Sequence, residues 1–438
     1  MPIRCSKCGI ESPLVSAFHR LQITRRISRW YCPPCAGRRT AANNSLWLIA
    51  AVLAVPLGLM LLRLDSPEQK YGWHLLTFAL FVVFQAICIV PHELGHAVTA
   101  LILGMRLFNV CIGACGKVAF VIRVLGYDVV FMTIPLGGTT LATPKSTRFV
   151  RFKEFLLVLS GPMANAVLIV VAVWLGQHVA GYDVAKWGVT VFVYANLFVL
   201  ALNLFPQILT LNGQRIPSDG RQLLSIPFLS SDRIRELHAS YFTLEGLEAR
   251  ERGNLESAQA WFEQGLAAYP DDVACSSGLG TVLLDVADYP RAKQIFERLL
   301  EQKKDDMGLG ALFKNNIAWT DLLIGDRQLL DEADRFSSEA IEVLPWVSEI
   351  KGTRGSVLIE LGRIEDGVSL VEQAMKQNRQ RQNQAFNASY LALAMLRLGN
   401  LEKAADYQKA AVRLDPKCAL RNRLEVEKEK LRDGARRA

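Results

Sequence analysis

Five consecutive residues, His92-Glu93-Leu94-Gly95-His96, carry the clearest chemistry in this chain. On a helix the two histidines fall at i and i+4, on one face and about one turn apart. Two imidazoles so placed grip one zinc ion, and the glutamate between them is free to act as a general base. The surroundings sharpen the reading: residues 75–90 and 97–105 contain no charged side chain. An ionisable side chain at mid-bilayer costs roughly 2.5–3.5 kcal/mol on insertion scales. Three such residues in five positions need a compensating partner, and a buried metal supplies one.

A second cluster lies near the N-terminus. Cys5 and Cys8 form one CxxC pair and Cys32 and Cys35 another, separated by the stretch 9–31. Two such knuckles make a tetrahedral Cys₄ zinc site. A redox CxxC is the alternative, but the pair is duplicated and no βαβ pattern surrounds it. Four thiolates leave no open coordination position, so this metal is expected to be structural. In so short a segment it also supplies the folding energy.

These residues must be held by very different scaffolds. The chain has 438 residues, 51% hydrophobic and 21% charged, with a formal net charge of +8. Its mean hydropathy is +0.19. That mixture implies a membrane half and a water-facing half rather than one ordinary domain. The basic residues cluster before and between apolar segments, which marks membrane topology and excludes nucleic-acid binding as the reading of the charge. Nine cysteines without a paired framework point to a reducing compartment. Residues 1–44 are polar and cysteine-bearing, so they are no secretory signal peptide.

Three domains are expected: a Cys₄ zinc-ribbon-like segment at 1–44, a membrane domain at 45–235 and helical repeats at 236–438. Apolar stretches at 45–62, 73–105, 155–177 and 189–205 are each long enough to span a bilayer. Residues 108–144 alternate in polarity and carry glycines at 113, 116, 126, 137 and 138, so they read as a small sheet beside the metal site. Eight Lys and Arg precede the first span, seven fall within 106–153 and few occupy the other loops. Four spans with both termini cytoplasmic follow. Beyond a linker at 207–235, Gly246, Ala258 and Phe262 recur at one constant interval as Gly280, Ala292 and Phe296. That period of paired helices, roughly 34 residues, is similar to tetratricopeptide repeats, about five of them, the third lengthened near 326–330. A charged tail at 420–438 is expected to cap them.

The membrane half resembles the site-2 protease family of intramembrane zinc metalloproteases, peptidase family M50. Besides HELGH, it has Ile134-Pro135-Leu136-Gly137-Gly138, like the family's hairpin after the catalytic helix. Ser160-Gly161-Pro162-Met163-Ala164-Asn165 is like the family's GPxxN segment. Asn203-Leu204-Phe205-Pro206, followed by Asp219-Gly220-Arg221, is like its Asn-x-x-Pro and Asp-Gly pair. The resemblance implies a mainly α fold: a polytopic helical metalloprotease core with a small β insertion, then an α-solenoid of repeats. It implies that His92, His96 and Asp219 hold a catalytic Zn²⁺ and that Glu93 takes the proton of a zinc-activated water. Asn165 and Asn203 are the residues it suggests for positioning substrate backbone or an oxyanion. Helix–helix hydrogen bonding is the competing role for both. One departure stands out. In the family the Asn-x-x-Pro and the Asp-Gly lie close together, whereas here 207–216 is apparently inserted between Asn203 and Asp219. Asp128 is the alternative third ligand.

The implied substrate is a single-span membrane protein, unwound and cut so that a cytosolic fragment leaves the bilayer. The sheet at 108–144 could add a strand to it. The repeats are expected to bind a cytosolic protein or peptide, either substrate or regulator. Two other classes compete: a catalytically inert membrane scaffold using the repeats, and a zinc sensor or transporter. An intact Glu93 speaks against the scaffold, because a structural zinc needs no general base; the Cys₄ segment is the only further support for the sensor or transporter.

Overall fold

The computed structural model describes residues 2–22, 28–64, 67–113, 115–178, 183–211, 214–378, 380–416, 420 and 424–429. The chain divides into two compact units. One comprises 33–245 with 267–272; the other comprises 1–32, 246–266 and 273–438. The boundaries differ from the sequence divisions at 44/45 and 235/236. The reason at the first is that the opening helix begins at Pro33, inside the second CxxC, and runs on into the apolar stretch without a break.

Among the described residues of the first unit, four helices are long and apolar enough to cross a membrane: α1 (Pro33–Leu61), α2 (Gln69–Ile102), α3 (Val150–His178) and α4 (Asp183–Leu204). Their outward faces carry large apolar side chains such as Leu46, Trp47, Val52, Ile102, Val170 and Tyr194, all well exposed. In water that would be a severe liability; against hydrocarbon it is the expected surface. Pro56, Pro91 and Pro162 lie inside these helices. Intramembrane packing tolerates such prolines because neighbouring groups satisfy the freed carbonyls.

The glycine-punctuated region forms strands. Here β5 (Arg106–Ile112), β6 (Cys115–Val124), β7 (Tyr127–Ile134) and β8 (Gly138–Thr143) make one sheet in the order β6-β7-β5-β8. The strands before β5 belong to the other unit. The β6–β7 turn is Leu125-Gly126, both at positive φ, the conformation of a tight two-residue hairpin. Strand β5 runs parallel to β7 and antiparallel to β8, pairing Ile112 with Gly138. Its inward residues Leu107, Val110 and Ile112 share an apolar cluster with Ile89 and Ala97 of α2. That packing brings β8 alongside the HELGH turn. The insertion before Asp219 is a hairpin, β9 (Ile208–Leu211) with β10 (Gln214–Pro217), and the short helix α5 (Asp219–Ser225) follows it. A 3₁₀ turn (Ile226–Phe228) leads to α6 (Ser231–Glu251), whose residues up to Glu245 belong to this unit.

The second unit is built from helix pairs. After α6 come α7 (Leu255–Ala268), α8 (Val273–Asp285), α9 (Tyr289–Gln302), α10 (Met307–Ile324), α11 (Leu330–Val343), α12 (Ser348–Glu360), α13 (Ile364–Gln377), α14 (Arg381–Arg397) and α15 (Leu401–Leu414). Helix α8 starts at Val273, α10 at Met307 and α12 at Ser348, and the later interval is the longer. Most of the difference is α10 itself, 18 residues against 13 in α8, and the rest is the connection that holds the 3₁₀ turn Arg327–Leu329, near which sequence reading places the lengthened third repeat. Small residues recur because paired helices cross closely. A Cβ on Gly280 would lie 2.8 Å from the Phe296 ring, and one on Gly246 would lie 2.7 Å from Phe262. Leu420 and Leu424 are buried in the core of the last repeats. The remainder of the expected cap, 421–423 and 430–438, lies outside the described residues.

The N-terminal segment of this unit has four short strands: β1 (Ile3–Arg4), β2 (Glu11–Ser12), β3 (His19–Gln22) and β4 (Ser28–Tyr31). They pair as two small antiparallel hairpins, the pattern expected of a fold held by metal rather than by a core.

Candidate metal centre and active site

Helix α2 places His92, Glu93 and His96 in the interior, each less than a tenth exposed. The hydrogen bonds of the two imidazoles fix what each ring can do. His92 Nδ1 lies 2.5 Å from Asn165 Oδ1, and His96 Nδ1 lies 2.6 Å from the Leu157 carbonyl. Both partners are acceptors, since the Asn165 amide group donates to Asn196 Oδ1 at 2.5 Å and to the Cys88 carbonyl at 3.2 Å. Each Nδ1 therefore carries the proton, and each Nε2 presents a lone pair.

Those lone pairs converge. His92 Nε2 is 3.3 Å from His96 Nε2 and 3.0 Å from Asp219 Oδ2, and His96 Nε2 is 3.7 Å from the same oxygen. Three acceptors facing one point repel one another unless a cation sits among them. Ligands held about 2.0–2.1 Å from zinc at tetrahedral angles lie about 3.3 Å apart, so the donor set fits that ion. Asp219 thus reaches the two histidines from helix α5 despite the inserted hairpin.

Two close backbone approaches make this possible. A Cβ on Gly161 of α3 would fall 2.3 Å from His96 Nε2 and 2.8 Å from His92 Nε2. Only a residue without a side chain lets α3 cross there. A Cβ on Gly220 would fall 1.8 Å from the Leu204 carbonyl, so α5 can abut the end of α4 only because glycine follows Asp219.

Glu93 points to the neighbouring strand. Its Oε2 accepts from Thr140 Oγ1 at 2.8 Å, and Gly138 on β8 leaves room for its side chain. The general-base candidate is thereby held beside the three donors.

The other expected site residues are placed as follows. Asn165 spends its oxygen on His92 and its amide on Asn196 and Cys88, so it supports a histidine instead of facing open space. Asn203 donates to the Val199 carbonyl one turn back in its own helix. Asp128, the alternative ligand, pairs with Arg123 on the exposed β6–β7 hairpin. Thr140 and Asn196 were not foreseen. Asn196 was findable, because a fully buried amide in the apolar α4 run demands a partner. Thr140 gives no such signal: a threonine in a strand is ordinary.

The four N-terminal cysteines also gather. The Sγ atoms of Cys5, Cys8, Cys32 and Cys35 lie within 4.8 Å of one another, with Cys8 and Cys32 at 3.7 Å. Thiolates about 2.3 Å from zinc would be about 3.8 Å apart, so this set fits a tetrahedral metal as well.

The fold and site together define a polytopic membrane metallopeptidase core joined to tetratricopeptide-like repeats. The sequence model of peptidase family M50 matches residues 79–400, and a tetratricopeptide-repeat model matches 391–418. The chain belongs to peptidase family M50, the zinc metallopeptidases of the site-2 protease type. No curated protein matches it. Among solved structures, it is similar to a thermophilic tetratricopeptide-repeat protein of Thermus thermophilus. That match is 21% identical and covers 43% of this chain and 98% of the other, with a TM-score of 0.35. MamA is 17% identical over 39% of this chain and 95% of its own, with a TM-score of 0.28. YrrB, described as having an unusual peptide-binding site, is 18% identical over 42% and 90%, with a TM-score of 0.27.

Proposed function

We propose that this protein hydrolyses a peptide bond within or next to the transmembrane segment of a membrane-protein substrate. The observation that carries the reading is the convergence of His92 Nε2, His96 Nε2 and Asp219 Oδ2 on one point beside Glu93. Zinc held by these three residues would polarise the scissile carbonyl and acidify a bound water. Glu93 accepts that water's proton and passes it to the leaving amine. Thr140 aims the Glu93 carboxylate. Asn165, backed by Asn196, keeps His92 in the tautomer that offers Nε2. Asn203 stands at the end of α4 as a candidate contact for the substrate backbone. An intact transmembrane helix hides its carbonyls in its own hydrogen bonds, so substrate must unwind before attack.

A second, structural zinc is assigned to Cys5, Cys8, Cys32 and Cys35. The repeats recruit substrate or a regulator of cytosolic protein or peptide character. We read both termini as cytoplasmic. The basic residues before α1 and within 106–153 support this, as does an even number of spans. Contacts between residues 12–18 and the repeats speak for both lying on one side of the bilayer.

The test is Glu93→Gln protein reconstituted in lipid with a single-span substrate. Zinc content should match wild type while cleavage is abolished, because ligation and proton transfer rest on different residues. Cleavage at the wild-type rate would sink the assignment.

A further inference from the structure

The N-terminal cysteine segment does not stand alone. Ser12, 1% exposed, donates from Oγ to the Val343 carbonyl at the end of α11, at 2.6 Å, and accepts from the Leu14 N–H at 3.0 Å. Leu14 joins an apolar cluster with Ala311, Ala340, Leu344 and Ile350. A Cβ on Gly308, in the first turn of α10, would lie 3.4 Å from Leu14. Phe18, also 1% exposed, meets Trp346 edge to face at 5.6 Å between centroids. The contacts span the first turn of α10, the end of α11 and the start of α12, which is one edge of the third and fourth repeats.

We propose that residues 1–32 are a metal-held brace on this edge of the repeats. Metal at the cysteines orders β1–β4, and that order presents Ser12, Leu14 and Phe18 to the repeats. Metal occupancy and the stiffness of the α10–α12 edge are therefore linked, since a ligand that binds only the docked form stabilises it. This goes beyond the protease reading and does not depend on it.

The experiment uses full-length protein carrying His92→Ala and His96→Ala, so that only the cysteine site takes metal and the peptidase reading plays no part. Amide hydrogen exchange is followed across 340–351 with zinc bound and after zinc is stripped. Stripping zinc should speed exchange in 340–351 by tenfold or more, while exchange in α14 stays unchanged. The double change Leu14→Ala, Phe18→Ala leaves every cysteine in place, and it should speed the same exchange even with zinc bound. Unchanged exchange at 340–351 on zinc removal overturns the brace.

Discussion

Gln207 and Ser218 clasp the base of the hairpin that separates the end of α4 from Asp219. The Ser218 N–H donates to the Gln207 carbonyl at 3.0 Å, and the Gln207 N–H donates to Ser218 Oγ at 3.1 Å. The same hydroxyl donates to the Phe205 carbonyl at 2.7 Å and caps α5 by accepting from the Arg221 N–H. Residues 208–217 therefore leave and return to nearly one point, as loop closure permits at small entropic cost. The carboxylate that follows is aimed as if the insertion were absent.

Removing that clasp should loosen the aim. Ser218→Ala loses a helix cap worth about 1 kcal/mol. It also leaves the Gln207 N–H without this acceptor. We expect a lower melting temperature and several-fold weaker catalytic zinc binding, with the cysteine-held zinc retained. Zinc stoichiometry after dialysis against a weak chelator checks this; full retention of both ions would show that the clasp does not set the position of Asp219.

Asn165 and Asn196 act in series behind His92. Partners behind metal-bound histidines typically contribute roughly 10–100-fold in metal affinity or activity. Asn165→Leu should approach that loss, since it leaves the His92 Nδ1–H buried without an acceptor. Asn196→Leu should be milder, because it removes only a partner of Asn165. If the two variants bind zinc as tightly as wild type, the serial arrangement has no energetic content.

Gly161→Ala tests the close helix crossing. The added methyl would stand where His96 Nε2 and His92 Nε2 now meet, so the rings must turn away or α3 must retreat. Protein of normal helical content that has lost the catalytic zinc is the expected product. A variant that keeps both zincs and full activity would mean that α3 shifts at little cost.

Much of this site was legible from residue types. HELGH announced itself because charge inside an apolar run has few innocent explanations. The repeats declared their period through Gly246 and Gly280, whose spacing reflects a real crossing against Phe262 and Phe296. What the chain order hid was partnership across helices. Asn165 looked available for substrate because nothing in one dimension shows that its oxygen meets His92 and its amide meets Asn196. The insertion at 207–216 cast doubt on Asp219 because a backbone clasp between Gln207 and Ser218 leaves no mark in composition. The start of α1 at Pro33 was hidden for a similar reason: polar residues 37–45 extend a helix whose apolar part alone shows in hydropathy.

The cysteine segment should respond to pH in a defined direction. Burial pushes the Cys5 thiol up, but backbone N–H groups of Cys32, Cys8 and Lys7 stabilise its thiolate and bring it down from 9.0 to about 6. A group whose folded value is depressed contributes stability that is complete above its unfolded value and is lost as pH falls through the folded one. In chelator-treated protein the segment should therefore be best ordered near pH 9 and lose order as pH falls towards 6. Hydrogen exchange in residues 2–12, corrected for its intrinsic pH dependence, reads this. Greater protection at pH 6 than at pH 9 would reverse the sign and remove Cys5 as the responsible group.

The repeats can be separated from chemistry only if the cut respects the membrane unit. That unit includes α6 as far as Glu245 and also residues 267–272. Within it, Arg106 at the head of β5 pairs with Glu245 at 2.6 Å, both largely buried. His238 divides its hydrogen bonds between Tyr269 Oη and the Lys145 carbonyl. A chain ending at Ile234 deletes all of these and leaves the Arg106 guanidinium without Glu245, a loss on the order of 1–3 kcal/mol. A chain ending at Asp272 keeps them. With a detergent-presented substrate at high concentration, the longer truncation should cleave close to the full-length rate and the shorter one should not. At low concentration of native substrate the longer truncation should fail as well, because a tethered groove raises effective substrate concentration towards the millimolar range. Faster native cleavage on truncation would instead make the repeats an inhibitory lid, and equal rates for both truncations would deny that Glu245 and Tyr269 support the catalytic unit.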